Sequence, residues 1–234
     1  MTIKTLELPV DMTSLWEATA HAWKHEKLNG PASADLVIVG AGITGLSAAL
    51  RACEAGNSVI VLDANHPGWG ASGRNGGQVI PGLKYLPEEI IQQFGIDPGE
   101  KIVSFAGRTA DAVFEIIKRY NIDCDAIRGG WIEPAYRARS LKALSAKTSQ
   151  WQARNADVEL LDKKAVANAT GSEVFIGGFY DRRAGSVQPL KYSLGLGEAA
   201  RRLGAKIFSH VTVSSVDKQA DRFVVETNKG QVRA

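Results

Sequence analysis

The chain has 234 residues, of which 44% are hydrophobic and 23% are charged, and its formal net charge at pH 7 is +3. A chain of this length can bury a sizeable core and can form one or two domains. Its Lys and Arg residues cluster no further than short pairs, so we expect no nucleic-acid partner.

Cysteine usage and the lack of targeting features indicate a cytoplasmic location. Cys53 and Cys124 form neither a metal-binding spacing nor a disulfide framework, which is typical of a reducing compartment. The first twenty residues lack the basic start and apolar run of a secretory signal. The most apolar stretch, residues 36–50, is too short and too rich in glycine to span a bilayer. We therefore expect a soluble cytoplasmic protein with no membrane partner and no metal site.

The first elements in chain order form one βαβ unit. An irregular extension, residues 1–33, contains a predicted short helix over residues 14–25. Three elements follow, a strand over 36–39, a helix over 43–55 and a strand over 59–62. Both strands are continuous apolar runs, which predicts burial on both faces in a parallel sheet. The helix places Leu46, Ala49, Leu50 and Cys53 on one face, as a core-facing helix does.

Later elements alternate between helices and strands and predict an α/β fold. The helices are predicted over residues 101–120, 140–155 and 189–203, and the strands over 131–132, 174–180, 206–216 and 222–227. A further strand begins at Gln231, close to the last residue, Ala234. We expect this strand to be unpaired, which would favour aggregation or pairing with another chain, and we expect the chain to be truncated at its C-terminus.

A glycine motif lies between the first strand and the helix of the βαβ unit. In Gly40-x-Gly42-x-x-Gly45, the first glycine permits a tight turn, the second lets the backbone approach a pyrophosphate, and the third lets the helix pack close to the sheet. The helix N-terminus offers unpaired amides to phosphate oxygens. Asp63, at the end of the second strand, is placed to accept hydrogen bonds from ribose hydroxyls. The unit predicts dinucleotide binding.

A glycine-rich segment, residues 70–78, favours FAD over NAD. It interleaves four glycines with the hydrogen-bonding side chains of Ser72, Arg74, Asn75 and Gln78. Such a backbone can lie against a flat ligand and line a pyrophosphate. The alternatives are a flexible surface loop and an NAD-linked dehydrogenase, which Asp63 also permits.

The segments at residues 35–50 and 70–78 resemble the D-amino-acid-oxidase-type flavoprotein superfamily, and within it the γ-glutamylputrescine oxidase-like amine oxidases. A weaker similarity covers Gly185 to Pro189, residues 204–208 and Val213. In the family an acidic residue, usually Glu, stands where this chain has Asp63. The valine at position 213 contacts the adenine through its backbone in that family.

The resemblance implies a Rossmann-type FAD-binding domain with part of a mixed-sheet α+β substrate domain. Residues 1–33 would be an extension, 34–126 and 185–234 the two parts of the FAD-binding domain, and 127–184 part of the substrate domain. The implied FAD-binding residues are Gly40, Ala41, Gly42, Ile43, Thr44, Gly45, Asp63, Ala64, Ala71, Ser72, Gly73, Arg74, Asn75, Gly76, Gly77, Gln78 and Val213. The family places the strand that completes the cofactor sheet beyond this chain, so we expect the chain alone to bind FAD weakly or not at all.

The resemblance also implies the reaction. A primary or secondary amine, either an amino acid or a polyamine derivative, passes a hydride equivalent to flavin N5, and molecular oxygen reoxidises the flavin. No side-chain acid or base is expected, because the cofactor carries the chemistry. A catalytically inactive nucleotide-binding remnant stays open as an alternative.

Several other side chains have two interpretations each. Arg74 lies either near the flavin or in solvent, and His66 either near the adenosine or in a solvated loop. Cys53 is interpreted as core. The aromatic residues of the substrate segment are interpreted as core or as part of an amine pocket, and they are Trp131, Tyr136, Phe179 and Tyr180.

Overall fold

The computed structural model describes residues 13–234. Its helices are α1 (Leu15–Thr19), α2 (Ile43–Glu54), α3 (Pro87–Phe94), α4 (Ile96–Gly107), α5 (Thr109–Tyr120), α6 (Ala138–Gln152), α7 (Lys163–Thr170) and α8 (Pro189–Arg202). Its strands are β1 (Ala32–Ser33), β2 (Leu36–Val39), β3 (Val59–Leu62), β4 (Gln78–Val79), β5 (Trp131–Ala135), β6 (Val158–Leu161), β7 (Gly177–Asp181), β8 (Gly185–Ser186), β9 (Lys206–Phe208), β10 (Val213–Gln219), β11 (Arg222–Thr227) and β12 (Gly230–Arg233). The predicted α/β class is confirmed.

The described residues divide into two compact units. Unit 1 contains the residues up to Gly76 together with Gln188–Ala234, and unit 2 contains Gly77–Val187. These boundaries differ from the predicted domain boundaries. Residues 77–126 and 185–187 were predicted to belong to the domain with the glycine motif, but they lie in unit 2. Which unit holds substrate stays a prediction.

Unit 1 contains the predicted βαβ unit. Strand β3 lies between β2 and β9, and both pairings are parallel. The buried residues of α2 are the four that the apolar periodicity predicted. All of β3 is buried, but β2 is not, since Leu36 and Val39 are 37% and 57% exposed. The prediction that β2 is buried on both faces is therefore wrong, because β2 has a strand neighbour on one side only among the described residues.

A second sheet in unit 1 has the order β1-β12-β11-β10. Strand β12 pairs antiparallel with β11 and parallel with β1. The expectation of an unpaired final strand is therefore wrong, because the two-residue strand β1, just before the βαβ unit, covers its outer edge. The strand predicted over 206–216 is two strands, and His210 in the connection has a φ of 59°, which a continuous strand does not allow.

Unit 2 is built on an antiparallel sheet of order β5-β7-β6 with a separate β4-β8 pair. The helix predicted over 101–120 is two helices, because Arg108 leaves helical geometry at φ −103° and ψ 2°. Five elements of unit 2 had no sequence prediction, namely α3, β4, β6, α7 and β8. For α7 the local signals were present, because the Asp162 side chain accepts a hydrogen bond from the amide of Ala165 and Gly171 ends the helix at φ 73°.

Residues 13–31 are mostly irregular. The predicted helix over 14–25 is limited to α1, which Ser14 caps through a reciprocal pair of hydrogen bonds with Glu17. Within residues 13–234, none of the helices has both the length and the apolar character needed to traverse a bilayer.

Candidate cofactor-binding site

The turn between β2 and α2 is held in a conformation that requires glycine. Gly40 has a φ of 101°, and its amide donates to the carbonyl of Leu62 at 2.8 Å. A Cβ on Gly45 would overlap the carbonyl oxygen of Gly40 and lie 3.2 Å from Cγ2 of Ile38. The first glycine therefore supplies the tight turn, and the third allows α2 to start against the end of β2.

The N-terminus of α2 presents free backbone donors. The first helical hydrogen bond joins the amide of Leu46 to the carbonyl of Gly42 at 2.9 Å. Within residues 13–234, the amides of Gly42, Thr44 and Gly45 have no acceptor, whereas the amide of Ile43 donates to Oγ of Ser72 at 3.0 Å. These unpaired amides, with the positive end of the helix dipole, form an anion-binding site.

Asp63 links the end of β3 to the glycine turn. Its Oδ2 accepts from the amide of Ala41 at 2.6 Å, and its Oδ1 accepts from the amide of Asn65 at 2.8 Å. Each carboxylate oxygen keeps a further acceptor site after one hydrogen bond. The carboxylate is therefore fixed in position and can still accept from a diol. Ala64, which follows it, is exposed.

The structure brings residues 71–73 to the glycine turn. These residues form a short 3-10 turn, and Ser72 Oγ would lie 2.9 Å from a Cβ placed on Gly42. The amide of Gly68 donates to the carbonyl of Ala41 at 2.9 Å, and a Cβ on Gly73 would overlap the carbonyl oxygen of Gly68. The loop after β3 thus packs closely on the loop after β2 at glycines that leave no room for a Cβ. The N-terminus of α2 together with Ser72 is called here the cradle.

Arg74 and Asn75 bond to protein groups. The Nε of Arg74 donates to the carbonyl of Trp69 at 2.8 Å, its guanidinium stacks 4.9 Å from the Trp69 ring centroid, and its Nη2 lies 3.6 Å from Oε1 of Glu17. Asn75 donates through Nδ2 to the carbonyls of Ala71 and Ser72 at 3.1 and 2.9 Å. Gly76 has open space where a Cβ would lie. A contact between Arg74 and the flavin stays a prediction.

The remaining predicted residues lie elsewhere. Gly77 and Gln78 belong to unit 2, where the carbonyl of Gly77 accepts from the amide of Val187 and Gln78 pairs with Ser186 in the β4-β8 pair. Val213 begins β10 in unit 1 and packs against the core cluster that includes Ile60. Their contacts with FAD stay predictions.

Sequence reasoning missed the N-terminal residues that touch this site, above all Trp16 and Glu17. The Ser14-x-x-Glu17 spacing of a capping box was a usable signal for α1, but no local pattern predicts a partner about sixty positions away. It also missed that His25 and His210 stack, with ring centroids 4.7 Å apart. The pKa of His25 is lowered, mainly by burial and to a smaller extent by the neighbouring imidazoles of His210 and His66. No cluster able to hold a metal ion occurs within residues 13–234.

The aromatic candidates and Cys53 differ in burial. Phe179 is a buried core residue and packs edge to face with Trp131 at 6.3 Å, while Tyr136 is exposed and Tyr180 donates to the carbonyl of Gly129. Cys53 is buried, and this burial raises its thiol pKa, so the core interpretation is confirmed.

His66 contacts groups of unit 1. Its Nδ1 lies 3.0 Å from the carbonyl oxygen of Pro67, and its Nε2 lies 3.9 Å from Oε1 of Glu17. It is thus held at the protein surface beside the N-terminal segment, and a contact with adenosine stays untested.

The residues present fit a dinucleotide. Within residues 13–234, amides without an acceptor lie at the N-terminus of α2, a side chain on Gly42 would collide with Ser72, and the fixed carboxylate of Asp63 lies at the neighbouring strand end. This is the pairing of anion site and diol acceptor that an adenosine diphosphate moiety requires.

Comparison with known proteins agrees with this geometry. The chain is 34% identical over 224 residues to "Gamma-glutamylputrescine oxidoreductase" of Escherichia coli (strain K12), covering 95% of this chain and 52% of the relative. It is 36% identical over 201 residues to "Probable oxidoreductase OrdL" of Haemophilus influenzae, covering 85% and 46%. The chain thus spans about half the length of the curated relatives it matches.

Solved structures show the same fold. The glycine oxidase from Geobacillus kaustophilus matches with a TM-score of 0.73 at 19% identity, over 87% of this chain and 54% of that one. The L-amino acid deaminase from Proteus vulgaris matches with a TM-score of 0.73 at 18% identity, over 90% and 48%. The family model described as "FAD dependent oxidoreductase" matches residues 35–234, and the chain therefore belongs to the DAO family of FAD-dependent oxidoreductases.

Proposed function

We propose that this chain holds FAD in an enzyme that oxidises a primary or secondary amine with molecular oxygen as the electron acceptor. The observation that carries the proposal is the set of amides at Gly42, Thr44 and Gly45, which stand at the N-terminus of α2 and have no acceptor within residues 13–234. The diphosphate would bind there, and Asp63 would accept from the ribose hydroxyls.

Ser72 gives the cradle a second wall. Its Oγ accepts from the amide of Ile43, so its own hydroxyl proton remains available to a phosphate oxygen. The amides and this hydroxyl would bind and orient the cofactor without changing protonation. We assign no side-chain acid or base, because FAD when bound supplies the acceptor for the hydride equivalent.

The substrate class is supported by what the relatives are named for. Their names refer to γ-glutamylputrescine, glycine and L-amino acids, each of which carries an oxidisable carbon–nitrogen bond. A small amine or amino acid is therefore the substrate class proposed for the whole protein.

Cofactor choice is tested by titrating the purified chain with FAD and with NAD and following flavin fluorescence and protein fluorescence. We expect a saturable response to FAD that is stronger than any response to NAD. A saturable NAD response without one to FAD would contradict the proposal. Titration is needed because we expect weak binding, and stoichiometric flavin retained through purification would show that expectation to be wrong.

The cradle is tested by Gly42→Val, with Gly70→Ala as the matched control. The valine Cβ would lie 2.9 Å from Ser72 Oγ and crowd the N-terminus of α2, whereas nothing lies within 4 Å of a Cβ on Gly70. We expect Gly42→Val to abolish the FAD response and Gly70→Ala to keep it, with unchanged circular dichroism in both. An unaltered FAD response in Gly42→Val would place the diphosphate elsewhere.

The reaction is tested on the FAD-loaded protein of full natural length. Mixing with γ-glutamylputrescine, glycine or an L-amino acid under anaerobic conditions should bleach the oxidised-flavin absorbance for at least one of them, and admitting oxygen should restore it with formation of hydrogen peroxide. A loaded protein that no amine bleaches would contradict the amine proposal and leave the cofactor proposal standing.

A further inference from the structure

The N-terminal segment of residues 14–29, called here the strap, precedes the residues that the family model matches. We propose that Trp16 and Glu17 of this strap are positioning residues that hold the cofactor loop, residues 69–76, in its binding conformation. The inference rests on the proposed function for the purpose of the loop, but the contacts that carry it are independent of any ligand.

The strap touches the loop through two adjacent side chains. The indole Nε1 of Trp16 donates to the carbonyl of Asn75 at 3.0 Å. The carboxylate of Glu17 lies 3.6 Å from Arg74, whose Nε in turn donates to the carbonyl of Trp69. Both ends of the cofactor loop are thereby tied to α1.

The strap can hold the cofactor loop in one conformation because other contacts fix the strap to unit 1. Nε2 of Gln188 donates to the carbonyl of Trp16 at 2.8 Å and lies 3.1 Å from Oγ1 of Thr19. Further along, the Trp23 ring is 7% exposed and lies 3.0 Å from a Cβ built on Gly197 of α8. The guanidinium of Arg201 stacks on that ring at 5.2 Å. These anchors lie on α8 and not on the loop.

Glu17 is poised to act as an anion. The backbone hydrogen bond from Ser14 is the largest cause that lowers the pKa of Glu17, and the positive charge of Arg74 lowers it further. The carboxylate is therefore ionised at neutral pH and carries the charge that Arg74 needs. Its side chain is 27% exposed and that of Arg74 is 44% exposed, so solvent screening keeps the energy of the pair small.

The conformation of the cofactor loop affects the proposed diphosphate site, because Ser72 belongs to this loop. Its Oγ covers the amide of Ile43, at the point where the diphosphate would bind. A loop that opens more often removes this hydroxyl from the cradle for part of the time and lowers the affinity for FAD in proportion.

The experiment measures amide hydrogen exchange in the cofactor-free chain, comparing wild type with Trp16→Phe, Glu17→Gln and Glu54→Gln. Phenylalanine keeps the ring and removes the donor to Asn75, and glutamine keeps an oxygen for the Ser14 cap and removes the charge. Glu54→Gln is the matched control, because it breaks an acid–arginine pair with Arg51 at the other end of α2. Peptides from α4 report any global loosening.

We expect exchange in residues 69–76 to rise about fivefold in Trp16→Phe, as loss of one hydrogen bond predicts, and about two- to fourfold in Glu17→Gln. Exchange in α4 should be unchanged, and Glu54→Gln should match wild type. In an Arg74→Gln background, Glu17→Gln should add nothing. Wild-type exchange of the loop in both strap variants, or equal acceleration in α4, would overturn the inference.

A parallel FAD titration separates this inference from the proposed function. If wild type binds FAD, both strap variants should show a weaker affinity by about the same factors as the exchange ratios. An unchanged affinity despite faster loop exchange would overturn the positioning role. If wild type shows no FAD response, the cofactor proposal fails, and the exchange data still decide whether the strap orders the loop.

Discussion

The two adjacent strands β2 and β3 have the same composition and very different surroundings. Residues 36–39 read Leu-Val-Ile-Val and residues 59–62 read Val-Ile-Val-Leu. Every residue of β3 is at most 2% exposed, whereas Leu36 and Val39 of β2 are 37% and 57% exposed. Within residues 13–234, β3 is hydrogen bonded on both edges and β2 on one, so β2 lies at the edge of this sheet.

This contrast shows that an apolar run predicts that a strand can be buried, but it does not identify the segment that buries it. The outer edge of β9 already carries a bridge between Glu26 and Phe208. The outer edge of β2 has no strand neighbour within residues 13–234. Because unpaired edges invite association, a covering strand would also protect the chain.

The two strands are joined at both ends by aspartates. At the N-terminal ends, Asp35 accepts from the amide and hydroxyl of Ser58 at 2.8 and 2.6 Å. At the carboxyl ends, Asp63 accepts from the amide of Ala41. Thus β3 carries the group that orders the turn after β2, and the buried strand supports the site of its exposed neighbour.

The turn after β2 is expected to be the most sensitive position in this pair. Gly45→Ala places a Cβ into the carbonyl oxygen of Gly40, a backbone atom that cannot rotate away. We expect a loss of about 3 kcal/mol or more in the free energy of unfolding, measured by urea denaturation. Gly70→Ala, with open space around its Cβ, should stay within about 0.5 kcal/mol of wild type. Equal effects of the two changes would contradict the close packing.

Burial is tested by the same truncation on each strand. Val61→Ala removes two methyl groups from a fully buried site, so we expect a loss of about 2 kcal/mol. Val39→Ala removes them from a side chain that is 57% exposed, so we expect less than about 0.5 kcal/mol. The shift in the urea midpoint at constant m-value reports both. A large loss at Val39 would mean that another part of the protein covers β2 in solution.

The link at the carboxyl ends is tested by Asp63→Asn. An amide can accept from only one of the two amides of Ala41 and Asn65 in the same geometry, because its NH2 group faces the other. We expect a loss of about 1.5 kcal/mol of stability and a weaker FAD titration. Asp217→Asn is the control, since this aspartate accepts from Oγ of Ser215 at an exposed position. If both variants had the stability of wild type, Asp63 would not order the turn.

Short-range features of this region were predictable from sequence, for local reasons. The spacing of Gly40, Gly42 and Gly45 predicted a tight turn into a helix, and the positive φ of Gly40 bears this out. The buried face of α2 followed from its apolar period. Both depend on residues within one or two helical turns, where the backbone geometry is nearly fixed by the sequence.

Long-range features were not predictable, because one strand or helix does not specify its neighbours. The exposure of β2, the pairing of β12 with β1, and the contact of Trp16 with Asn75 each join segments far apart in the chain. The helix break at Arg108 is different, because the apolar period continues through it and gives no signal where the backbone changes direction.

The smallest expected effect belongs to the link at the N-terminal ends of the two strands. The hydrogen bonds from the hydroxyl and amide of Ser58 hold the pKa of Asp35 below its usual value, and both groups are at the surface. A carboxyl whose folded pKa is lowered stabilises the fold fully above its unfolded pKa, about 3.9, and this contribution disappears as the pH falls through the folded pKa. Asp35→Asn should therefore lower the urea midpoint slightly at neutral pH, and the difference from wild type should vanish on acidification. Ser58→Ala should show the same pH dependence, because it removes the hydroxyl that lowers the pKa. A difference that persisted unchanged into acid would assign the effect to packing between β2 and β3 rather than to the charge of Asp35.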